Sequence, residues 1–474
     1  MFLLYHISVI IGLGFIIIYY IGLKFQTLPF IFKYFATLLG IGIYMKTKVT
    51  NYLCKIVKNK INIAVYLSLF IIYMVIILGL KGGNEYDINC WKYWAGYIFN
   101  NGLDHIYDSS TNYLPLFQFI LYFFGKIQGN ISNIEKNVYY LKIFTLIFDF
   151  IGGLVLLKLI YKKFKNIESS ILYSLLFFLN IAYFYNTLIW GQVDGIMVTL
   201  ILLSFFFAIK RKVLLTLLFV ILSINFKLQV IIFLPLIGLM ILPKIVKKFS
   251  LKNIIIWVSV SLSIQFLLLL PFMSNDIIKL WNVIKNSSHA YPFISMNAYN
   301  FWYFIFRGDL TKIGDNILFL GVTLKKWGLF LFFVTSFMAI LPLAKDIYRV
   351  IIYKQKIKIQ KNAFLAASLI PLLFFFFNTQ MHERYSHSAI IFLAGYAILY
   401  NRIFPYLLAS LAYFLNLEGV LKYFKFSSYE TVIFNPVFVA IIYLIVILLL
   451  FYDLYGIKNY IKKILFHGKL RTNN

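Results

Sequence analysis

Apolar residues along this chain come in long unbroken runs, without the alternation of a half-buried strand or the one-sided stripe of a soluble helix, and polar residues gather in the gaps. A helix needs ~20 apolar residues to cross the hydrocarbon core, and fewer inside a bundle. On that rule the pattern predicts spans at 3–23, 28–45, 61–80, 138–160, 169–187, 195–209, 213–225, 228–242, 253–272, 326–344, 363–377, 386–400, 403–417 and 436–452. The expected fold is an all-α polytopic membrane protein in one domain over 1–474, with about 12–14 transmembrane helices depending on whether the short neighbours are half-spans. Met1–Leu23 lacks a basic leader and a small-residue cleavage site, so it reads as the first span rather than a secretory signal.

Basic clusters orient the bundle. Lys46/Lys48/Lys55/Lys58/Lys60, Lys162/Lys163/Lys165, Lys210/Arg211/Lys212, Lys244/Lys247/Lys248/Lys252, the loop 345–362 and the tail 457–474 all close consistently if they are cytoplasmic, which puts both termini inside. The other face then receives two long loops, 81–137 and 273–325, and short turns near 188–194, 225–227, 378–385 and 418–435. Within the first long loop, Tyr113–Ile127 is amphipathic and reads as an interfacial helix along the outer leaflet.

Composition sharpens the picture. With 474 residues, 62% hydrophobic and only 13% charged, the chain is no water-soluble globule. Its net charge of +29 would suit nucleic acid, but the bases sit in short interhelical clusters and form no continuous face, so nucleic acid is excluded as a partner. Two cysteines, Cys54 and Cys90, supply neither a metal set nor a disulfide framework and are expected on opposite sides of the bilayer. The acids are sorted more sharply than insertion requires. Glu85, Asp87, Asp104, Asp108, Glu135, Asp194, Asp276, Asp309, Asp315, Glu383, Glu418 and Glu430 fall outside, Glu168, Asp346 and Asp453 inside, and Asp149 in mid-span. Chemistry is therefore expected on the outer face.

Five outer constellations stand out. Glu85-Tyr86-Asp87 follows the third span and offers a general base held just above the bilayer. Trp190-Gly191-Gln192-Val193-Asp194-Gly195 is a tight turn suited to sugar binding or to belt anchoring and helix capping. Lys227, in Asn225-Phe226-Lys227-Leu228-Gln229, suits a lipid-linked phosphate or snorkels to the interface. Asn378–Tyr385 places Arg384 beside His382, a clamp for phosphate oxygens with Glu383 fixing the arginine. A zinc-protease reading fails, because His382 and His387 are five positions apart and cannot share a helix face. His289–Trp302 is rich in Asn, Tyr and Trp, as saccharide sites and interfacial belts both are. Asp149 is an intramembrane carboxylate and so a further candidate, with pairing to a neighbouring helix as the plainer reading.

Taken in order, Asp87 with Trp94-Ala95 and Gly102–Tyr107, Tyr113-Leu114-Pro115-Leu116, Trp190–Gly195, Phe226–Gln229, Asn297–Trp302 and Gln380–Tyr385 resemble one family. That family is the GT-C integral-membrane glycosyltransferases, and within it the mannosyltransferases related to the PIG-V enzyme of glycosylphosphatidylinositol synthesis. The chain has Lys227-Leu228-Gln229 and Tyr113-Leu114-Pro115 where the family usually has Lys-Pro-Gln and Tyr-Pro-Pro, and Ser386-His387 where it usually has an apolar residue and proline. The resemblance implies a GT-C-like bundle, a polyprenyl-phosphate-linked hexose donor, most simply mannose, and an extracytoplasmic active site in the cell membrane. It implies Asp87 as base for an inverting transfer, with Lys227, Arg384 and His382 at the donor phosphate. Glu85, Trp190, Gln192, Asp194, Gln229, Asn297, Asn300, Trp302, Glu383 and Tyr385 are then expected around the sugar or acceptor. Membrane lipid is a partner, and the acceptor is a glycan, lipid or protein hydroxyl. The one cofactor candidate is a divalent cation, which Glu85 and Asp87 could hold, and metal dependence is left open by the sequence. A transporter or flippase of lipid-linked sugars is the competing class, and a non-catalytic membrane subunit a third.

Overall fold

The computed structural model describes residues 51–247, 249–273, 277–286 and 291–456, with side chains from Ala64 onward. Helix α1 (Asn51–Gly79) leads through a short break to α2 (Glu85–Asn101), whose Asn84 cap accepts from the Asp87 amide. A 3-10 turn (Leu103–Ser109), α3 (Pro115–Gln128) and α4 (Ile131–Asn137) follow, and α4 runs into α5 (Leu141–Phe164). Next come α6 (Ile167–Phe178) and α7 (Ile181–Tyr185), the latter prolonged by a π turn (Asn186–Trp190), with a 50° bend between them. After it stand α8 (Asp194–Ile209), α9 (Val213–Ile224), α10 (Leu234–Lys247), α11 (Leu251–Leu269) and the amphipathic α12 (Ile277–Asn286). A two-stranded hairpin, β1 (Leu318–Phe319) with β2 (Val322–Thr323), pairs Leu318 with Thr323. Five helices finish the described chain: α13 (Leu324–Ile352), α14 (Gln360–Phe377), α15 (His387–Tyr400), α16 (Ile403–Leu421) and α17 (Pro436–Tyr455).

Seven of these helical segments are long and apolar enough to cross a membrane, eight counting the bent pair, and four more are apolar but shorter. This is an all-α, multi-pass membrane protein. Every predicted span from 61–80 onward coincides with a helix, and the spans 3–23 and 28–45 lie outside the described residues. Apolar sequence takes two fates here. Helices α8, α14 and α15, apolar on all sides, are buried on nearly all sides at the centre of the bundle, with α5 packed on α8 and α15. Helix α11, equally apolar, has no buried residue and touches the rest mainly through α9, so its surface is the lipid-facing kind.

Segment 81–137 is not the loop its polarity suggested but a stack of helices. Ile88, Trp91, Trp94, Ala95 and Ile98 of α2 recur at helical spacing and are buried. A search for membrane-length runs overlooks a period carried by so few apolar residues among charged ones. Contacts also sort the connections into two ends. The Asn84 amide donates to the Trp190 carbonyl (2.9 Å), Leu116 to Asn225 (3.0 Å), Met296 to Met381 (2.9 Å), and Asn416 Nδ2 to the Asn297 carbonyl (2.8 Å). At the other end Arg402 pairs with Asp453, Asn362 Nδ2 donates to Asp346 (2.7 Å), and Lys163 reaches the Ile398 carbonyl (3.3 Å). The segments expected to be outer thus meet at one end of the bundle, and the residues expected to be inner meet at the other.

A candidate site at one end of the bundle

Each charged side chain at this end is held by a helix terminus or a tight turn. Asp87 lies in the first turn of α2, and its Oδ2 accepts from Trp190 Nε1 (3.2 Å) and Gln192 Nε2 (2.5 Å). Trp190 ends the π turn and Gly191 reverses the chain at φ 85°, a region glycine enters without the Cβ clash other residues meet. That reversal delivers Gln192 to Asp87 and lets Asp194 open α8. Lys142, buried at the start of α5, braces the turn from behind by donating to the carbonyls of Leu188 (2.8 Å) and Leu80 (3.4 Å).

Asp194 is the hub of the cations. Lys227 Nζ stands 2.5 Å from its Oδ1 and Arg384 Nε 3.7 Å from its Oδ2, while Asn186 Nδ2 approaches Oδ2 at 3.5 Å. Arg384 also donates to Glu383 Oε1 (2.9 Å), and His382 Nδ1 lies 3.8 Å from Glu383 Oε2. The Lys227 ammonium sits between two aromatic rings, 5.8 Å from the centre of Tyr113 and 5.4 Å from that of Tyr385. Trp91, Trp94 and Phe117 pack on Tyr113 with centroids 5.9, 5.8 and 4.6 Å away, and form an aromatic wall.

Burial and charge pull against each other throughout. Burial pushes the Lys227 ammonium below its ordinary pKa, against Asp194 and Asp87, which favour its charge. Arg384 is held far above its ordinary value: burial works the other way but is outweighed by Asp87, Glu383 and Asp194. Burial would raise Glu383, yet His382 and Arg384 keep it below the usual carboxylate range. Burial lowers the His382 pKa, and Glu383 only partly offsets this. Three carboxylates therefore face the Lys227 ammonium and the Arg384 guanidinium, and Asp87 acts on both.

The sequence candidates divide into a connected cluster and residues around it. Asp87, Trp190, Gln192, Asp194, Lys227, His382, Glu383, Arg384 and Tyr385 form the connected cluster. Asn300 and Trp302 are buried behind it, where Asn300 Nδ2 donates to the Phe375 carbonyl (3.0 Å) and Trp302 Nε1 to that of Phe377 (3.0 Å), so they hold the end of α14. Asn297, at φ 64°, bridges its backbone to His382, and Gln229 lies just past Lys227 with its Oε1 buried and unpartnered. Glu85 is exposed one turn edge away from Asp87. Among the described residues no group of three or more His, Cys, Asp or Glu side chains stands together as a metal site would, and Asp87 Oδ2 already takes two donors.

Asp149 is fully buried and accepts from Thr187 Oγ1 (2.7 Å), while its Oδ1 packs against Gly195 so closely that a Cβ there would lie 2.0 Å away. Sequence reasoning gave no role to Tyr113, Trp91, Asn186 or Lys142. For Lys142 the signal was present, a lysine inside an apolar run. For the aromatic wall the sequence marked Tyr113 and Trp94 only as parts of family-like motifs, without showing that their rings meet. No family model matches this chain, and no curated protein matches it.

Proposed function

We propose that the protein is an inverting glycosyltransferase of the GT-C kind, which moves a hexose, most simply mannose, from a polyprenyl-phosphate donor to an acceptor hydroxyl on the extracytoplasmic side. The observation that carries this reading is the cluster itself: a partly exposed carboxylate, Asp87, oriented by two donors and standing in the field of two buried cations. In the proposed step Asp87 accepts the acceptor's hydroxyl proton as that oxygen bonds to the anomeric carbon. The carbon–oxygen bond to phosphate breaks, and its electron pair leaves with the phosphate. Lys227 and Arg384, fixed by Asp194 and Glu383, stabilise the departing anion, and His382 donates or accepts beside them. Tyr113, backed by the buried Trp91 and Trp94, gives the sugar or the first isoprene unit an apolar face to lie on.

The test is incubation of purified protein with radiolabelled polyprenyl-phosphate mannose and a crude membrane extract. Asp87→Asn should lower transfer about 10²–10⁴-fold with donor binding retained, and near-normal transfer by that variant rules out Asp87 as the base. One observation favours the transporter class, the 50° break between α6 and α7, since discontinuous helices line substrate sites in many transporters. That reading requires movement of lipid-linked sugar across proteoliposomes with no new glycosidic bond.

A further inference from the structure

Beside the charged cluster, on the far side of the 378–385 turn, lies a separate open cavity of about 380 Å³ lined by Pro292, Asp315, Asn316, Thr323, Lys325 and Gln380. Its size is within the range of small-molecule sites. Its lining is a carboxylate, two amides, a hydroxyl and an ammonium, the groups that recognise a polyol through paired donors and acceptors. The loops around the cavity are tied together by hydrogen bonds. Asp315 is buried, and Thr379 Oγ1 (2.9 Å) and Gln380 Nε2 (2.7 Å) both donate to its Oδ2. The backbone closes the frame, with the Asp315 amide on the Pro292 carbonyl (3.1 Å), the Lys325 amide on the Asp315 carbonyl (3.1 Å) and the Gln380 amide on the Phe293 carbonyl (3.0 Å). Gln380 holds its place at φ 63°, a conformation that costs a non-glycine residue free energy and persists only where surrounding contacts impose it.

The turn joins this cavity to the cluster. Thr379 and Gln380 serve the cavity, whereas His382, Glu383 and Arg384 serve the cations, and the Cα atoms of Gln380 and His382 lie at most ~7 Å apart. We propose that the cavity binds a saccharide and is the acceptor pocket of the transfer described above, on which reading the word acceptor depends. The acceptor is then a glycan rather than a lipid or protein hydroxyl. Asp315, Asn316 and Gln380 fix one sugar residue, and the next one is directed over the turn toward Asp87.

Binding is tested first, without the donor. Saturation-transfer NMR of the full chain in a sugar-free detergent, with methyl α-mannopyranoside and mannobiose as probes, should detect binding that Asn316→Ala and Gln380→Gly each weaken at least tenfold. Asn316 is exposed, so its truncation spares the fold, and glycine accepts the backbone angle at position 380. Absence of binding to the unaltered protein, or unchanged affinity in Asn316→Ala, overturns the proposal. With polyprenyl-phosphate mannose added, Asn316→Ala should lose tenfold or more in transfer to mannobiose. If saccharide binding follows these variants but the unaltered protein neither transfers nor hydrolyses, the glycosyltransferase reading fails and the saccharide site stands. If transfer proceeds and Asn316→Ala leaves it intact, the site fails and the enzyme stands.

Discussion

Neutralising Asp194 tests the cluster at its hub. In Asp194→Asn the Lys227 ammonium, only 16% exposed and 2.5 Å from the lost charge, keeps its burial without its counter-ion. Removing one partner of a buried pair costs about 3–5 kcal/mol, because the other charge stays desolvated and unpaired. Arg384, 3.7 Å from the second oxygen, retains Glu383 and so adds little. Spread over the unfolding entropy of a chain this long, the loss lowers the unfolding midpoint by roughly 3–5 °C. Lys227→Met strands Asp194 instead and should cost a similar amount, since Arg384 is a poorer substitute at its greater distance. The double variant Asp194→Asn with Lys227→Met has no stranded charge and should be more stable than either single variant, so the coupling exceeds one single loss of about 3–5 kcal/mol. Thermal scans of tryptophan fluorescence in detergent measure all four proteins. A double variant as unstable as the two single losses added together would refute the pairing.

Three further outcomes follow from geometry. Gly195→Ala drives a methyl group onto Asp149 Oδ1, so the carboxylate must give up Thr187; the cost is about 1–3 kcal/mol, and Asp149→Ala in the same chain should recover part of it in the same scans. Lys142→Met leaves the Leu188 carbonyl without its donor, which costs about 1–3 kcal/mol and frees the π turn, detectable as faster amide exchange at 188–192. Acid should destabilise the 378–385 turn through two groups of the same sign. His382 is lowered from 6.5 in the fold, so below that value the unfolded chain binds a proton the fold refuses. Glu383 is lowered from 4.5 and adds to the loss as pH falls further. Midpoints measured between pH 8 and 4 should fall from about 6.5 downward, less steeply in His382→Gln.

The apolar runs made the membrane helices legible because hydrocarbon length is a constraint on sequence alone. The same constraint hid α2, whose residues bury only one face and include Glu85, Asp87 and Lys92. Asp87, Asp194, Lys227 and Arg384 were visible as candidates because a charge beside an apolar helix is costly and needs a reason. Of their partners only Glu383, beside Arg384, was visible. That Asp194 holds cations, that Gln192 and Trp190 aim at Asp87, and that Asn300 and Trp302 tie down α14 depend on which turns meet, and single-residue chemistry does not encode it. The cavity beside Asp315 was equally hidden, since Thr379, Gln380 and Asn316 are ordinary loop residues until the chain brings them together.

The π turn at Asn186–Trp190 fixes the phase of everything after it. An α-helix advances about 100° per residue, and a π turn accommodates one residue more than an α turn in the same rise. Deleting a single position there would restore α-helical winding and swing the Trp190 indole roughly a quarter-turn from Asp87, with both residues still present in the polypeptide. Arithmetic along the backbone, as much as residue identity, decides whether the two halves of this end face one another. Chains that keep the same residues but differ by one between Asn180 and Gly191 should therefore be chemically silent.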